Sequence, residues 1–312
     1  LDFNNEDKFE KLGTTRNIAS LSSFLTIQEG CNKFCSFCVV PYTRGAEYSR
    51  SVSDLVAEAN SLAKRGCKEL ILLGQNVNAY HGLDKKGNEV SLARLITELE
   101  KISSIERISY TTSHPKDMAQ DLIELHGSSS KLNPYLHLPV QSGSNKILKN
   151  MNRKYTSEKY MKIIEDIRKY CPKIALSSDF IVGYPGETND DFKQTINLIK
   201  AVGFSQAYSF KYSSRPGTKA SRIENNIDLE EANNRLYEIQ DLLNSQQRDF
   251  NGKFVNTSQE VFFKGKGKIK GQIRASTRWM QTVNFEETKP FFDKAKVKIT
   301  KAMGNSLLGE MI

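Results

Sequence analysis

Three of the five cysteines in this 312-residue chain stand on one short stretch, Cys31, Cys35 and Cys38, spaced C-x3-C-x2-C directly behind Gly30. Thiolates on so short a loop can turn toward one point, and Gly30 lets the backbone bend as it enters the loop. Three soft anionic ligands suit zinc or an iron-sulfur cluster. Zinc needs a fourth ligand, and structural zinc usually takes cysteines in two separated pairs. Here Cys67 and Cys171 are isolated, and the histidines are scattered at positions 81, 114, 126 and 137. A cubane cluster on three cysteines keeps one iron free of protein ligands, a corner that a cofactor can fill. An odd number of cysteines, three of them clustered, makes a poor disulfide framework and fits a reducing compartment.

Such a loop needs a rigid scaffold, and the sequence supplies alternating elements. Strand-length apolar runs occur at 24–28, 69–74, 107–113, 135–141, 174–183 and 205–213. Between them lie amphipathic helical patterns: one starts near Ser51 with Leu55, Ala59, Leu62 and Ala63 on one face, and another carries Leu92, Leu95, Ile96, Leu99 and Ile102. Thr188 with Asp191 reads as a capping box ahead of Phe192, Ile196 and Ile199. The longest helix is expected over residues 229–250. Six strands each followed by a helix imply parallel strands joined by right-handed crossovers, which an open barrel or a doubly wound sheet both satisfy. In either case chemistry belongs at the carboxyl ends of the strands, where the cysteine loop falls. After Phe250 the pattern changes to short strands cut by Gly and charge, as a small β-barrel of about 60 residues would be.

Net charge is +9 and is unevenly spread. Residues 252–312 hold 12 Lys and Arg against 5 Asp and Glu, so most of the excess lies in the tail. A basic tail beside a nearly neutral body points to a polyanionic partner, most simply nucleic acid. No apolar run reaches membrane-spanning length and the start has no signal-peptide pattern, so a cytoplasmic protein without membrane contact is expected. The first residue is Leu rather than Met.

The cysteine spacing, with the aromatic Phe37 just before the third cysteine, resembles the radical S-adenosylmethionine superfamily. The segments "QEGCNKFCSFCVVPYTRGAEYSR", "LLGQNVNAY", "YTTSHPKDM", "HLPVQSGS", "DFIVGYPGET", "SSRPGT" and "NSLLGE" narrow this to the MiaB-type methylthiotransferases, over nearly the whole chain. The resemblance implies an α/β fold: a partial (βα)6 TIM-like radical SAM barrel followed by a small all-β TRAM barrel that binds RNA. The implied boundaries are a linker at 1–16, the radical SAM domain at 17–250 and the TRAM domain at 251–312. It implies a [4Fe-4S] cluster on Cys31, Cys35 and Cys38, with S-adenosylmethionine on the free iron. The implied reaction is methylthiolation of C2 of N6-isopentenyladenosine beside the tRNA anticodon, driven by an electron donor such as flavodoxin or ferredoxin, in a monomer. Sister enzymes acting on threonylcarbamoyl-adenosine or a ribosomal protein, and a non-enzymatic metal- and RNA-binding module, are the alternatives. Family members carry an amino-terminal domain with three further cysteines for an auxiliary, sulfur-supplying cluster, so the chain is expected to lack that apparatus.

The resemblance, laid onto the strand ends, implies further site residues. Phe37 is expected near the adenine, and Gly74, Gln75 and Asn76 near the methionine amino group. Gln141 and Ser142 offer an amide and a hydroxyl to the ribose, unless the "SGS" run simply caps a helix. Asp179 and Gly183 are placed at the adenine. For RNA, Arg44 and Arg50 follow the cysteine loop, and Lys268, Arg274, Arg278 and Trp279 interleave charge with an aromatic in the tail. His114 and His137 read more simply as structural histidines, and Trp279 has a place in the small barrel's core as its competing role.

Overall fold

The computed structural model describes residues 21–287 and 293–312. The linker expected at 1–16 lies outside the described residues. In chain order the first module contains β1 (Ser22–Thr26), β2 (Gln28–Glu29), α1 (Val40–Arg44), β3 (Tyr48–Ser49), α2 (Val52–Lys64), β4 (Glu69–Leu73), α3 (Leu92–Glu100) and β5 (Arg107–Tyr110). It continues with α4 (Gln120–Ser128), β6 (Tyr135–His137), α5 (Asn145–Asn150), α6 (Ser157–Tyr170), β7 (Ala175–Val182), α7 (Asn189–Val202), β8 (Gln206–Lys211) and α8 (Leu229–Gly252). A second module follows: β9 (Ser258–Lys266), β10 (Gln272–Ser276), β11 (Thr282–Glu286), β12 (Lys294–Ala302) and β13 (Leu307–Met311).

Parallel strands run β1-β4-β5 and β6-β7-β8. Ile108 joins the two runs, its amide donating to Lys131 O (2.8 Å) and its carbonyl accepting from Asn133 N (2.8 Å). Spatial order therefore follows chain order throughout. A doubly wound sheet reverses direction at a switch point; this sheet does not, so the helices lie on one side and the sheet curls into an open six-stranded barrel. The helices form where the apolar spacing placed them. Ser51 caps α2 through the Asp54 amide, and α2 buries Leu55, Ala59 and Leu62. Thr188 and Asp191 form the capping box of α7.

The second module is a closed barrel in the order β10-β11-β13-β12-β9 around Val261, Ile273, Val283, Phe285, Val297, Ile299 and Leu307. It docks on the amino ends of the parallel strands. Lys264 bonds Ser22 Oγ (2.7 Å) and pairs with the fully buried Glu69 carboxylate. Arg107, 1% exposed, donates to Ser276 O (3.2 Å) and to Glu260 O (3.0 Å), with its guanidinium 3.6 Å from the Phe262 ring centroid. Arg278 donates to Ser130 O (2.6 Å), and the Trp279 indole donates to Lys173 O (2.9 Å) while standing edge-on to Phe254.

Candidate metal centre and cofactor site

The short β2–β3 hairpin brackets the cysteine loop, pairing Gln28 with Ser49 and Glu29 with Tyr48. Gln28 and Gln75 lash the loop to the end of β4. Gln28 Nε2 donates to Gly30 O (2.7 Å), its Oε1 accepts from the amides of Gln75 (2.9 Å) and Asn76 (3.1 Å), and Gln75 Oε1 accepts from Gly30 N (2.7 Å). The Cys31 amide donates to Gly45 O (3.2 Å) where the loop returns. Cys31, Cys35 and Cys38 are free and half-buried at the carboxyl end of the barrel. Burial pushes the Cys31 thiol up to about 11, with Glu47 and the other two cysteines adding to the shift, and burial likewise raises Cys38. Three cysteine sulfurs on one short loop are a soft donor set suited to iron or zinc, and metal binding is what displaces thiol protons. Cys67 is buried and donates to Glu69 O (3.1 Å), and Cys171 caps α6 against the core, so both are packing thiols.

Beside the loop, the ends of β4 and β5 form a polar cradle. Asn76 Nδ2 donates to Asp117 Oδ2 (2.8 Å) and Glu47 Oε1 (3.3 Å), and Lys33 bonds Asp117 (3.0 Å). Three buried polar atoms there have no protein partner: Asn76 Oδ1, Ser113 Oγ and His114 Nε2. His114 Nδ1 accepts from Lys116 N (3.1 Å), which puts the ring proton on Nε2. Burial, helped by Arg153, Lys33 and Lys116, holds this imidazole down at about 2, so it is a neutral donor. A buried acceptor and buried donors without partners ask for a polar ligand. Their chemistry, one amide oxygen with an imidazole N–H and a hydroxyl beside the cysteine loop, suits an α-amino acid group such as the methionine end of S-adenosylmethionine, and His114, which the sequence alone reads as structural, is a candidate contact.

Across the mouth lies a cavity of about 750 Å³ lined by Phe37, Gln141, Asp179, Ile181, Tyr212 and Arg215. It brings together three of the predicted cofactor residues. Gln141 holds a left-handed backbone (φ 75°), costly for a non-glycine residue and typical of functional sites. The Tyr212 hydroxyl is buried without a partner, and Asp179 lies 3.6 Å from His137 Nε2.

Other predicted residues fall elsewhere. Ser142 is fully buried; its hydroxyl meets Thr195 Oγ1 (3.3 Å) and accepts from Ser144 N (3.2 Å), within the turn that starts α5. The Gly183 amide donates to Glu187 Oε2 (2.7 Å), whose carboxylate meets Arg235 at 2.7 Å, so this turn faces α8. Gly74 offers its carbonyl to Thr112 Oγ1 (2.5 Å), and the Gln75 side chain is committed to the loop. Arg50 clasps Thr26 O (2.9 Å) and Glu58 (2.7 Å), while Arg44 is exposed and 3.4 Å from Glu29. Lys268 and Arg274 are exposed on the small barrel, whereas Arg278 and Trp279 sit in the seam between the modules.

Residues 25–199 match the radical SAM superfamily and residues 252–312 the TRAM domain. The chain is 53% identical over 99% of its length to a tRNA-2-methylthio-N(6)-dimethylallyladenosine synthase of Ehrlichia ruminantium, covering 70% of that protein. It is 49% identical over its full length to the protein of the same name from Zymomonas mobilis, again covering 70% of it. Among solved structures, the radical S-adenosylmethionine methyltransferase TsrM from Kitasatospora setae matches with a TM-score of 0.52 at 16% identity, covering 64% of this chain and 38% of that one. SuiB from Streptococcus suis matches with a TM-score of 0.50 at 12% identity, covering 73% and 48%. These two show the fold. No helix among the described residues is long and apolar enough to cross a membrane. With a cysteine loop at the barrel mouth, a matched TRAM module and relatives this similar along the whole sequence, the chain belongs to the tRNA-2-methylthio-N(6)-dimethylallyladenosine synthase family of the radical SAM superfamily.

Proposed function

We propose that this protein methylthiolates C2 of N6-isopentenyladenosine beside the anticodon of tRNA, using a [4Fe-4S] cluster and S-adenosylmethionine. The observation that carries the reading is the C-x3-C-x2-C loop, lashed by Gln28 and Gln75 to the carboxyl end of the barrel and flanked by the unpartnered Asn76 Oδ1 and His114 Nε2. Cys31, Cys35 and Cys38 would hold the cluster. Together the bound cluster and cofactor supply one-electron chemistry able to functionalise an aromatic C–H bond that has no leaving group.

The chain's own residues bind, orient and shield. Asn76, Ser113 and His114 grip the amino acid end, and Phe37 offers an aromatic face at the rim of the cavity beside Gln141 and Asp179. The same cavity leaves room for an unstacked base, the form in which anticodon-loop nucleotides are read. By the resemblance, sulfur comes from an auxiliary cluster in the amino-terminal domain of family members; the chain spans 70% of the length of such relatives. A flavodoxin- or ferredoxin-type donor, a monomeric state, a cytoplasmic location, a radical SAM domain over 17–250 and a TRAM domain over 251–312 complete the reading. Lys268 and Arg274, with Arg44 near the mouth, are the RNA contacts it favours.

The test has two parts. Anaerobic reconstitution should give one cubane per chain whose electron paramagnetic resonance changes on adding S-adenosylmethionine. Transfer RNA from a strain lacking the gene should lack the 2-methylthio nucleoside and regain it on complementation. Zinc without iron or sulfide would establish a non-enzymatic metal module instead, and loss of a ribosomal-protein modification would establish a sister enzyme.

A further inference from the structure

The turn after α5 grips the cysteine loop from the side opposite Gln28. Ser36 Oγ donates to Asn150 O (2.7 Å), Ser36 N donates to Met151 O (3.0 Å), and Asn152 Nδ2 donates to Phe34 O (2.8 Å). The turn leads into Arg153, which is 4% exposed. Its Nη2 donates to Pro139 O (2.6 Å), its Nε to Tyr155 Oη (2.9 Å), and its Nη1 to Cys35 Sγ (3.3 Å). The Tyr155 hydroxyl is itself anchored on Val140 O (2.9 Å). The guanidinium is therefore aimed by two fixed acceptors, and a third of its five N–H groups meets sulfur.

Arginine stays protonated in proteins, and a buried charge needs compensation. Among the described residues no carboxylate forms an ion pair with Arg153, and its guanidinium contact at the barrel mouth is the Cys35 sulfur. We infer that Arg153 is a positioning residue that raises the reduction potential of the cluster through its cationic N–H on the Cys35 ligand. The inference rests on the cluster reading above. One-electron reduction by a low-potential donor leaves the cluster one unit more negative, with no bond made or broken at Arg153. A fixed cation beside a ligand sulfur stabilises that reduced state more than the oxidised one, and hydrogen bonds to the sulfurs are an established lever on such potentials.

The test compares wild type, Arg153→Gln, Arg153→Met and Arg153→Lys after anaerobic reconstitution, by redox titration followed with electron paramagnetic resonance. Gln retains an N–H without the charge, Met retains neither, and Lys retains the charge. The two neutral variants should hold the cluster yet show at least a tenfold lower reduced-to-oxidised ratio at a fixed poise, which is 59 mV for a one-electron couple. Lys should recover at least half of that shift. Equal midpoints in all four proteins, with equal iron and sulfide, would overturn the inference while the cluster reading stood. Failure of the wild type to assemble a cubane would instead defeat the cluster reading. Should the neutral variants fail to fold, wild-type protein with isotopically labelled guanidinium nitrogen decides: a hyperfine coupling to the reduced cluster supports the contact, and its absence refutes it.

Discussion

Replacing Gly30 by Ala isolates the geometry that presents the three cysteines. Gly30 has φ +81°, and an added Cβ would sit 2.0 Å from Ala46 O and 2.7 Å from Gly45 O. Gly66 is the internal control, with φ +93° and nothing within 4 Å of its Cβ position. Both substitutions carry the left-handed strain of a side chain, about 1–2 kcal/mol. Only Gly30 adds a backbone collision: opening the contact from 2.0 Å to a tolerable 3.0 Å moves the loop by roughly 1 Å. The three hydrogen bonds made by Gly30 N, Gly30 O and the Cys31 amide then stretch or break. At about 0.5–1.5 kcal/mol each, with the strain, the total for Gly30→Ala is roughly 3–6 kcal/mol, against about 1–2 for Gly66→Ala. Iron per chain after reconstitution and urea unfolding followed by circular dichroism are the assays. Gly66→Ala should load iron as wild type does, and Gly30→Ala should lose most of it. Full iron in Gly30→Ala, at a stability matching Gly66→Ala, would refute the reasoning.

His126 is buried, shares a hydrogen bond with the Tyr110 hydroxyl (2.6 Å), and burial holds it down at about 4 from an ordinary 6.5. Folded, it stays neutral while the unfolded chain takes up a proton below pH 6.5, so stability present above 6.5 is lost as pH falls toward 4. Its share of the loss is roughly 2 kcal/mol between pH 7.5 and 5, and His126→Gln should make this limb of the urea-midpoint profile shallower by that share while the share of His114 remains; parallel profiles would exclude His126. Arg107→Met removes the buried cation that ties β5 to the small barrel. It should destabilise the chain by roughly 3 kcal/mol and speed proteolysis between the modules, and unchanged proteolysis would count against a structural seam. Arg274→Ala should weaken tRNA binding and reduce the salt slope by about 1, whereas Trp279→Phe should cost about 1 kcal/mol of stability and leave the slope alone. A Trp279→Phe variant with the larger binding defect would move the indole back to the RNA surface.

Local chemistry made much of the fold legible. The apolar spacing of Leu55, Ala59 and Leu62, the Ser51 cap and the Thr188–Asp191 box are short-range signals, and they form where they were read. The barrel, as opposed to a doubly wound sheet, depended on spatial strand order, which no local pattern encodes. In the candidate site the cysteine spacing was visible because its ligands are neighbours in the chain. Arg153 was not, because its contact with Cys35 crosses 118 positions. His114 gained meaning only from the unpartnered Nε2. Arg278 and Trp279 have the composition of an RNA surface, yet their polar groups meet carbonyls at the barrel base. Ser142 was ambiguous between ligand and turn, and its hydroxyl meets Thr195 within the turn that starts α5.

The small barrel grips the ends of the strands at which Ser22, Glu69 and Arg107 begin, while the thiols crown the opposite ends. β7, eight residues long, rises about 26 Å at 3.3 Å per residue. A single ligand touching both the small barrel and the thiols would have to span a distance of that order, so the two ends of the barrel are separate stations rather than one site.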